Sequence, residues 1–271
     1  MPQMINTNIA SLNAQRNLDA SQNSLKTALQ RLSSGLRVNS AKDDAAGLGI
    51  ATKMTAQSRG MTVAERNAND GISLAQTAEG GLAVITDHLQ RMRELATQAS
   101  SGQYSSSDLK SLDQEFQALQ SEVARIATAT TFNGKQVLGA DSAMSFQIGA
   151  GTTTDNQISV TTTDLTAGAV SGLSVTDSAG ATSAMNDIDT ALDTVNQARA
   201  GLGALQSRFQ GVVTQLQTQN ENIQAATSRI MDTDYAAETA NLSRAQILQQ
   251  AGTAMLAQAN QLGSSVLSLL K

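Results

Sequence analysis

The sequence contains no cysteine and no tryptophan, and its 271 residues include one proline and one histidine. Without cysteine, the chain cannot form a disulfide scaffold, a zinc–thiolate site or a thiol-dependent active site. A histidine-based catalytic or metal site would depend on His88 alone. Aromatic residues are also scarce, at 2% of the chain, although large aromatic side chains usually dominate compact cores. The apolar residues are mostly Ala, Leu, Val, Ile and Met, which suits closely packed helices.

Charge is equally scarce, because charged residues make up 15% of the chain and the formal net charge is −5. No basic patch is present, so we expect no nucleic-acid partner. The most apolar stretch, residues 251–270, is interrupted by Gln, Asn, Gly and Ser. It therefore falls short of the roughly 18 to 20 apolar residues of a membrane span, and we expect no membrane partner. Residues 1–13 lack the basic and apolar regions of a secretory signal peptide.

The first predicted helix begins at Thr7 as its N-cap and ends near Ser33, before Gly35. Its apolar residues form two stripes on different sides. One stripe is Ile5, Ile9 and Leu12, and the other is Ala10, Ala14, Leu18, Leu25, Leu29 and Leu32. A helix that packs against one partner needs a single stripe. Two stripes predict contacts on more than one side.

The middle of the chain carries apolar residues at a seven-residue repeat from Ala45 to Ala99, which predicts one long coiled-coil helix. Capping boxes are predicted at Ser40 with Asp43 and at Ser105 with Asp108. Further helices are predicted from Ser183 and from Asp234 to the end of the chain. The repeats of the last helix are Leu248, Met255, Leu262 and Leu269, and Ala245, Gly252, Ala259 and Val266.

Residues 140–180 differ from the rest, because Thr, Gly, Asn and Asp dominate and apolar residues alternate. The alternating pairs Phe146/Ile148, Ile158/Val160 and Leu173/Val175 predict short β-hairpins. The expected fold is therefore mainly α, a long antiparallel coiled-coil bundle with a small central β-hairpin region. The N- and C-terminal helices are expected to pair with each other.

The predicted domain boundaries follow this pattern of elements. The terminal helices span 1–33 and 235–271, and polar connectors span 34–44 and 229–234. A helical domain spans 45–139 and 181–228, and residues 140–180 form its β-hairpin part.

The terminal helices cannot bury enough apolar surface by themselves. Ordering a residue costs about 1–2 kcal/mol of backbone entropy, whereas burying a large aliphatic side chain returns about 1.5–3 kcal/mol. We therefore predict that both helices are largely disordered in the monomer and fold on assembly into an open helical filament. The predicted polymer interface consists of Ile5, Ile9, Leu12, Leu18, Leu25, Leu29, Leu32, Leu248, Met255, Leu262, Val266 and Leu269.

Several long motifs resemble those of bacterial flagellins, and they occur in the family's order at both ends of the chain. They are NTNIASL at 6–12, LQRLSSG at 29–35, NSAKDDAAG at 39–47, NANDGIS at 67–73, TFNG at 131–134 and SRAQILQQAG at 243–252. The chain is short and resembles a minimal flagellin without large outer domains. The resemblance implies that the paired terminal helices form an inner-core domain. It also implies that the helical domain and its hairpins form an outer-core domain.

The resemblance also implies localisation and partners. It implies a secreted protein of the extracellular filament, exported unfolded through the flagellar type III apparatus and added beneath a filament cap. Hook-junction proteins and a cytoplasmic export chaperone would be further partners. Similar flagellins are sensed as monomers by Toll-like receptor 5, and Arg91, Leu95 and Glu115 match the family's contact positions.

No motif points to catalysis, a cofactor or a metal. Gly47-Leu48-Gly49 lacks the third glycine of a dinucleotide site, and the acidic pairs Asp43-Asp44 and Asp232/Asp234 lie where acidic helix caps are expected. Three hypotheses remain: a filament subunit, a hook–filament junction protein, and an enzyme or adaptor. The motifs at both termini favour the first over the second. The lack of convergent polar residues argues against the third.

Overall fold

The computed structural model describes residues 7–139, 143–161 and 170–268, with the side chains of the last helix described up to Gln261. The elements are, in chain order, α1 (Ile9–Ser34), α2 (Ala45–Ala99), α3 (Ser106–Ala129), β1 (Thr131–Phe132), β2 (Lys135–Gln136), β3 (Met144–Gln147), a 3-10 turn (Thr154–Asn156), β4 (Gln157–Val160), α4 (Ser178–Met231) and α5 (Tyr235–Ser268). The mainly α fold with a small antiparallel strand region is confirmed.

The chain divides into two compact units. The terminal unit contains residues 1–56 and 222–271, and the central unit contains residues 57–221. Helices α2 and α4 contribute residues to both units.

The predicted caps of α1 and α2 were wrong, although α2 begins at Ala45 as predicted. Asn8, not Thr7, caps α1, because its side chain accepts a hydrogen bond from the Ser11 amide at 3.1 Å. Asp44 caps α2 by accepting from the Gly47 amide at 2.8 Å. The Asp43 carboxylate is instead bound to the amide and hydroxyl of Ser40, both at 2.9 Å, in a turn before the helix. Asp43 therefore stabilises the turn in the connector, and Asp44 caps the helix.

Helix α4 also begins earlier than predicted. Its start is Ser178 rather than Ser183, and the Asp177 carboxylate accepts from the Gly180 amide at 2.6 Å. The capping box of Ser105 and Asp108 is confirmed. Asp234 caps α5 as predicted, because it accepts from the Ala236 amide at 2.9 Å.

The seven-residue repeat of α2 forms the core of the central unit. Its buried members include Ala68, Ala75, Ala78, Leu82, Ile85, Leu89, Met92, Ala96 and Ala99. They belong to the same apolar cluster as Phe116 and Val123 of α3 and Ile188 and Phe209 of α4. Small residues on α2 leave room for the large ones, so the helices approach closely.

The strand region is smaller than predicted. Strands β3 and β4 pair antiparallel with Phe146 opposite Ile158, which confirms a hairpin there. Strands β1 and β2 form a second hairpin whose turn places Asn133 and Gly134 at positive φ of 50° and 76°. Successive positive φ values are typical of the tight type I′ turn.

The third predicted β segment was wrong, because Leu173 and Val175 lie outside the strands of the described residues. Side chains of α3 bind this segment in place of a neighbouring strand. Gln117 donates to the Leu173 carbonyl at 2.7 Å, and Asp113 accepts from the Val175 amide at 2.9 Å. The alternation of apolar residues reflects burial of one side of this segment against a helix. Extended loops can show the same alternation as strands.

Gly71 of α2 offers a sharp test of this core. A Cβ placed there would lie 2.7 Å from the Phe209 ring, and Phe209 is itself held edge-on by Phe146 at a centroid distance of 5.8 Å. We expect Gly71→Ala to destabilise the central unit by about 1–3 kcal/mol through overpacking. Gly80→Ala is the matched control, since a Cβ at Gly80 meets no atom within 4 Å.

The control substitution should stabilise the helix by about 0.5–1 kcal/mol, because alanine is the better helix former. Thermal unfolding followed by circular dichroism measures both variants. Equal melting temperatures for the two variants would contradict the packing of Phe209 on Gly71.

Candidate functional site

The terminal helices α1 and α5 pack against each other in the terminal unit. The pairing is antiparallel, because Asn8 at the start of α1 contacts Ala259 late in α5, while Arg31 near the end of α1 contacts Glu238 at the start of α5. This confirms the predicted pairing of the N- and C-terminal helices.

Each helix turns one stripe toward the other. On α1, Ala14, Leu18, Leu25 and Leu32 are half-buried, and Ala28 is buried. On α5, Leu242, Gly252 and Leu256 are half-buried, and Ala245 and Ala259 are buried. Together with the half-buried Gln249, the α5 positions follow one another in steps of three and four residues, as one helical face requires. Leu18 lies directly against Gly252, where an added Cβ would be 3.2 Å from its Cδ1.

Polar contacts lie at both ends of the helix pair. Near the start of α1, the Asn8 amide donates to the Ala259 carbonyl at 2.8 Å, and the Ser11 hydroxyl donates to Asn260 at 2.9 Å. Near the end of α1, Arg31 and Glu238 form an ion pair at 3.8 Å. The Glu238 side chain is 10% exposed, so its charge is largely removed from water.

The outer faces of both helices expose large apolar side chains. Besides Tyr235, they are Ile9, Leu12 and Leu29 on α1 and Ile247, Leu248 and Met255 on α5. We call these six residues the outer apolar row. Leu248 is 50% exposed and Met255 is 64% exposed. Exposed apolar residues scattered singly are ordinary, but six on two paired helices present a surface that another chain can cover.

The structure places the described residues of the predicted interface in two groups. Leu18, Leu25 and Leu32 face α5, whereas Ile9, Leu12, Leu29, Leu248 and Met255 belong to the outer apolar row. Ile5 and Leu269 lie outside the described residues, as do the side chains of Leu262 and Val266. Ile247 was missed because it falls outside both seven-residue repeats of α5. Its position beside Leu248 was the available signal.

A groove of about 1100 Å³ runs between the two helices. Ala10, Ala14, Leu248 and Met255 form part of its apolar lining, and Arg31 and Glu238 lie at one end. Asn and Ser side chains of α1 and further residues of α5 complete the lining. Leu248 and Met255 of the outer apolar row therefore lie on a concave surface that can take up side chains of a second molecule.

Main-chain hydrogen bonds join the two connectors beside this helix pair. Leu36 and Asp232 form an isolated antiparallel bridge, and Thr233 donates its amide to the Gly35 carbonyl at 2.9 Å. Gly35 has a φ of 71°, as predicted for the residue that ends α1. The connectors thus hold the end of α1 close to the start of α5.

The predicted receptor-contact residues lie in the central unit. Arg91 donates to Glu115 at 2.8 Å and to Glu94 at 2.9 Å, and all three side chains are substantially exposed. These hydrogen bonds, that with Glu115 first, raise the pKa of Arg91. Leu95 is 1% exposed and belongs to the apolar core. The structure therefore brings Arg91 and Glu115 together at the surface and places Leu95 beneath it.

A second charged pair lies on the same unit. Arg93 donates to both carboxylate oxygens of Asp189, at 2.6 and 3.2 Å. This hydrogen bonding lowers the pKa of Asp189 below its usual value. This pair joins α2 to α4, whereas the Arg91–Glu115 pair joins α2 to α3.

The described part of the chain contains no group of three or more His, Cys, Asp or Glu side chains arranged to hold a metal ion. None of its helices combines the length and hydropathy needed to cross a membrane.

The fold and this surface define a class of mainly helical proteins whose paired terminal helices keep an apolar row exposed. Two family models match the chain: the bacterial flagellin N-terminal helical region over residues 5–143 and the bacterial flagellin C-terminal helical region over residues 185–270. The chain belongs to the bacterial flagellin family, and it is a structural subunit of the flagellar filament.

Relatives and a solved structure agree with this assignment. A flagellin of Halalkalibacterium halodurans is 44% identical, with 99% of this chain and 100% of the relative covered. A flagellin of Serratia marcescens is 42% identical, with both chains covered in full. The crystal structure of Bacillus cereus flagellin is similar with a TM-score of 0.51 and 29% identity, covering 60% of this chain and 94% of that chain.

Proposed function

We propose that the chain polymerises through the outer apolar row of α1 and α5, which neighbouring subunits cover in the filament. The observation that carries the proposal is the exposure of six large apolar side chains on a helix pair whose inner faces are already in contact. The groove of about 1100 Å³ gives two of these residues, Leu248 and Met255, a concave surface for a neighbour. A contact of this kind that does not close on itself builds an open helical filament.

The terminal helices order on polymerisation in this proposal. Their shared interface is made of leucines against alanines and a glycine, and the buried residues of α1 are Ser11 and Ala28. So little burial does not offset the entropy of ordering two long helices. The outer apolar row supplies the missing burial when a neighbour covers it. In the dilute monomer, both helices are therefore largely disordered.

Hydrogen exchange on filaments and on dilute monomers tests this mechanism. We expect the amides of α1 and α5 to be protected in filaments and to exchange at least about 100-fold faster in monomers. The central unit serves as the internal control, because its buried core should protect α2 and α3 in both samples. Equal protection of α1 and α5 in verified monomers would contradict ordering on assembly.

The domain assignment and the partners follow from the same proposal. We assign residues 1–33 and 235–271 to the inner core, 34–44 and 229–234 to the connectors, and 45–228 to the outer core with its hairpins at 140–180. Residues 229–231 of the second connector are the last turn of α4. Secretion to the extracellular filament involves an export chaperone for the C-terminal helix, a filament cap and hook-junction proteins.

Electron microscopy separates this role from the alternative of a hook–filament junction protein: long uniform filaments support the subunit, and short caps support the junction protein.

We also propose that the monomer is sensed by Toll-like receptor 5 through the Arg91 surface. Arg91 and Glu115 are exposed and paired, so they present a fixed charged surface. Leu95 supports the proposal from beneath, since its burial fixes the helix face that carries Arg91.

Arg91→Ala should lower the receptor response of monomers at least tenfold in a reporter-cell assay, since hot-spot arginines are worth about 2 kcal/mol or more. Arg125→Ala is the matched control, because Arg125 also bridges a glutamate, Glu122, on the surface of the central unit. An equal response from both variants would contradict the role of Arg91.

A further inference from the structure

The inner seam of the α1–α5 pair repeats every seven residues on both helices. The leucines of α1 are Leu18, Leu25 and Leu32, and the small residues of α5 are Ala245, Gly252 and Ala259. Sliding one helix along the other by one repeat, about 10.5 Å at 1.5 Å per residue, again places leucines opposite alanine or glycine. Apolar packing by itself therefore does not select one register.

One charged contact in this interface does not repeat. Arg31 pairs with Glu238 at 3.8 Å, and the Glu238 side chain is 10% exposed. Seven residues before Arg31 is Ser24, and seven residues after Glu238 is Ala245, so neither helix offers a second charge at that spacing. A shift by one repeat leaves at least one of these charges without its partner, which is costly where water is excluded.

The remaining polar contacts are less selective. The bridge between Leu36 and Asp232 uses main-chain groups, which every non-proline residue carries. The Asn8 side chain donates to a main-chain carbonyl, that of Ala259. The contact of Ser11 with Asn260 is neutral, and Asn260 is exposed to water that can replace it.

We infer that the ion pair between the half-buried Arg31 and the buried Glu238 determines the register of α1 against α5. The observed register places Ala10 and Ala14 of α1 and Leu248 and Met255 of α5 in the lining of one groove, so the pair decides which groove lining a neighbouring subunit meets. This inference rests on the proposed function. Replacing the two charges with leucines is expected to keep the helices paired but to lose the single register, since buried ion pairs often exchange for apolar residues without loss of stability.

Engineered disulfides report the register directly, because the natural chain has no cysteine. The native reporter is L18C with G252C: a Cβ at 252 lies 3.7 Å from the Leu18 Cβ, within the range of disulfides. The shifted reporter is L18C with A259C, which are brought together by a slide of one repeat. Each reporter is placed in the wild-type background, in R31L/E238L and in the charge swap R31E/E238R. The chains are assembled on wild-type filament seeds, pelleted and oxidised.

In wild-type filaments, we expect the native reporter to oxidise and the shifted reporter to oxidise at least tenfold less. R31L/E238L should raise the shifted signal at least tenfold with helix content retained, and the charge swap should restore the wild-type ratio. Failure of R31L/E238L to enter the pellet while the swap enters normally would also support the inference, provided that circular dichroism shows both folded.

An unchanged ratio of the two reporters in R31L/E238L would overturn the register inference alone. A charge swap that behaves like the leucine pair, or a leucine pair that loses its helix content while the swap shows shifted disulfides, would overturn it too. Failure of the native reporter in wild-type filaments would instead count against the helix pairing of the proposed function.

Discussion

Removal of residues 245–271 will leave a folded monomer that forms no filaments. The deletion takes away Ala245, Gly252 and Ala259, which face α1, together with Leu248 and Met255 of the outer apolar row. Helix α1 then has neither its partner nor a complete surface for a neighbour, and an isolated helix is marginal in water. The polymerised fraction should fall below detection at concentrations where the full chain assembles completely.

The central unit supplies the control for this truncation. Its core consists of α2, α3, α4 and the hairpins and contains no residue of the deleted segment. Its melting temperature should therefore stay within a few degrees of that of the full chain. Sedimentation measures the polymer, and circular dichroism measures the fold. Filaments formed by the truncated chain would refute the role given to α5.

Leu248→Asp will prevent assembly by a single substitution. Leu248 is 50% exposed in the structure, so the change should leave the monomer folded. In the proposed filament a neighbour covers this position, and the substitution loses about 1.5–3 kcal/mol of apolar burial and also buries a charge. Because 1.4 kcal/mol corresponds to a factor of ten, the critical concentration should rise at least about 100-fold.

Gln250→Asp is the matched control for the leucine variant. Gln250 is an exposed residue of the same helix, two residues away, and does not belong to the outer apolar row. It adds the same negative charge without removing an apolar side chain. Its critical concentration should change less than tenfold. Similar losses of assembly in both variants would show that charge on α5, rather than the outer apolar row, controls polymerisation.

Long periodic helices were predictable because their signal is distributed over many residues. Helix α2 spans Ala45–Ala99 as predicted, and Gly80 and Gly81 do not interrupt it. A Cβ at Gly81 would approach Leu138 within 2.8 Å, so this glycine allows a close contact of the core. The repeat specifies one continuous buried face, and tertiary packing offsets the weak helix propensity of two residues.

Helix starts were less predictable because several polar residues compete for the same role. Thr7 and Asn8 are both good N-caps, as are Asp43 and Asp44. Which residue of each pair caps the helix depends on the tertiary contacts of the first helical turn. The strand predicted around Leu173 and Val175 was wrong for a related reason. The groups that bind its backbone are side chains of α3, which are distant in sequence.

The sequence by itself determined the helical class of this protein, the pairing of its terminal helices and the family to which it belongs, because seven-residue repeats, caps and motifs are local patterns. Only the tertiary structure decided which apolar residues are buried between the two helices and which stay exposed. It turned Leu18 and Leu25 inward and left Leu248 and Met255 exposed. It also buried Leu95 under Arg91 and brought Arg31 to Glu238. These outcomes depend on how two helices are rotated against each other, and periodicity in one helix does not specify that rotation.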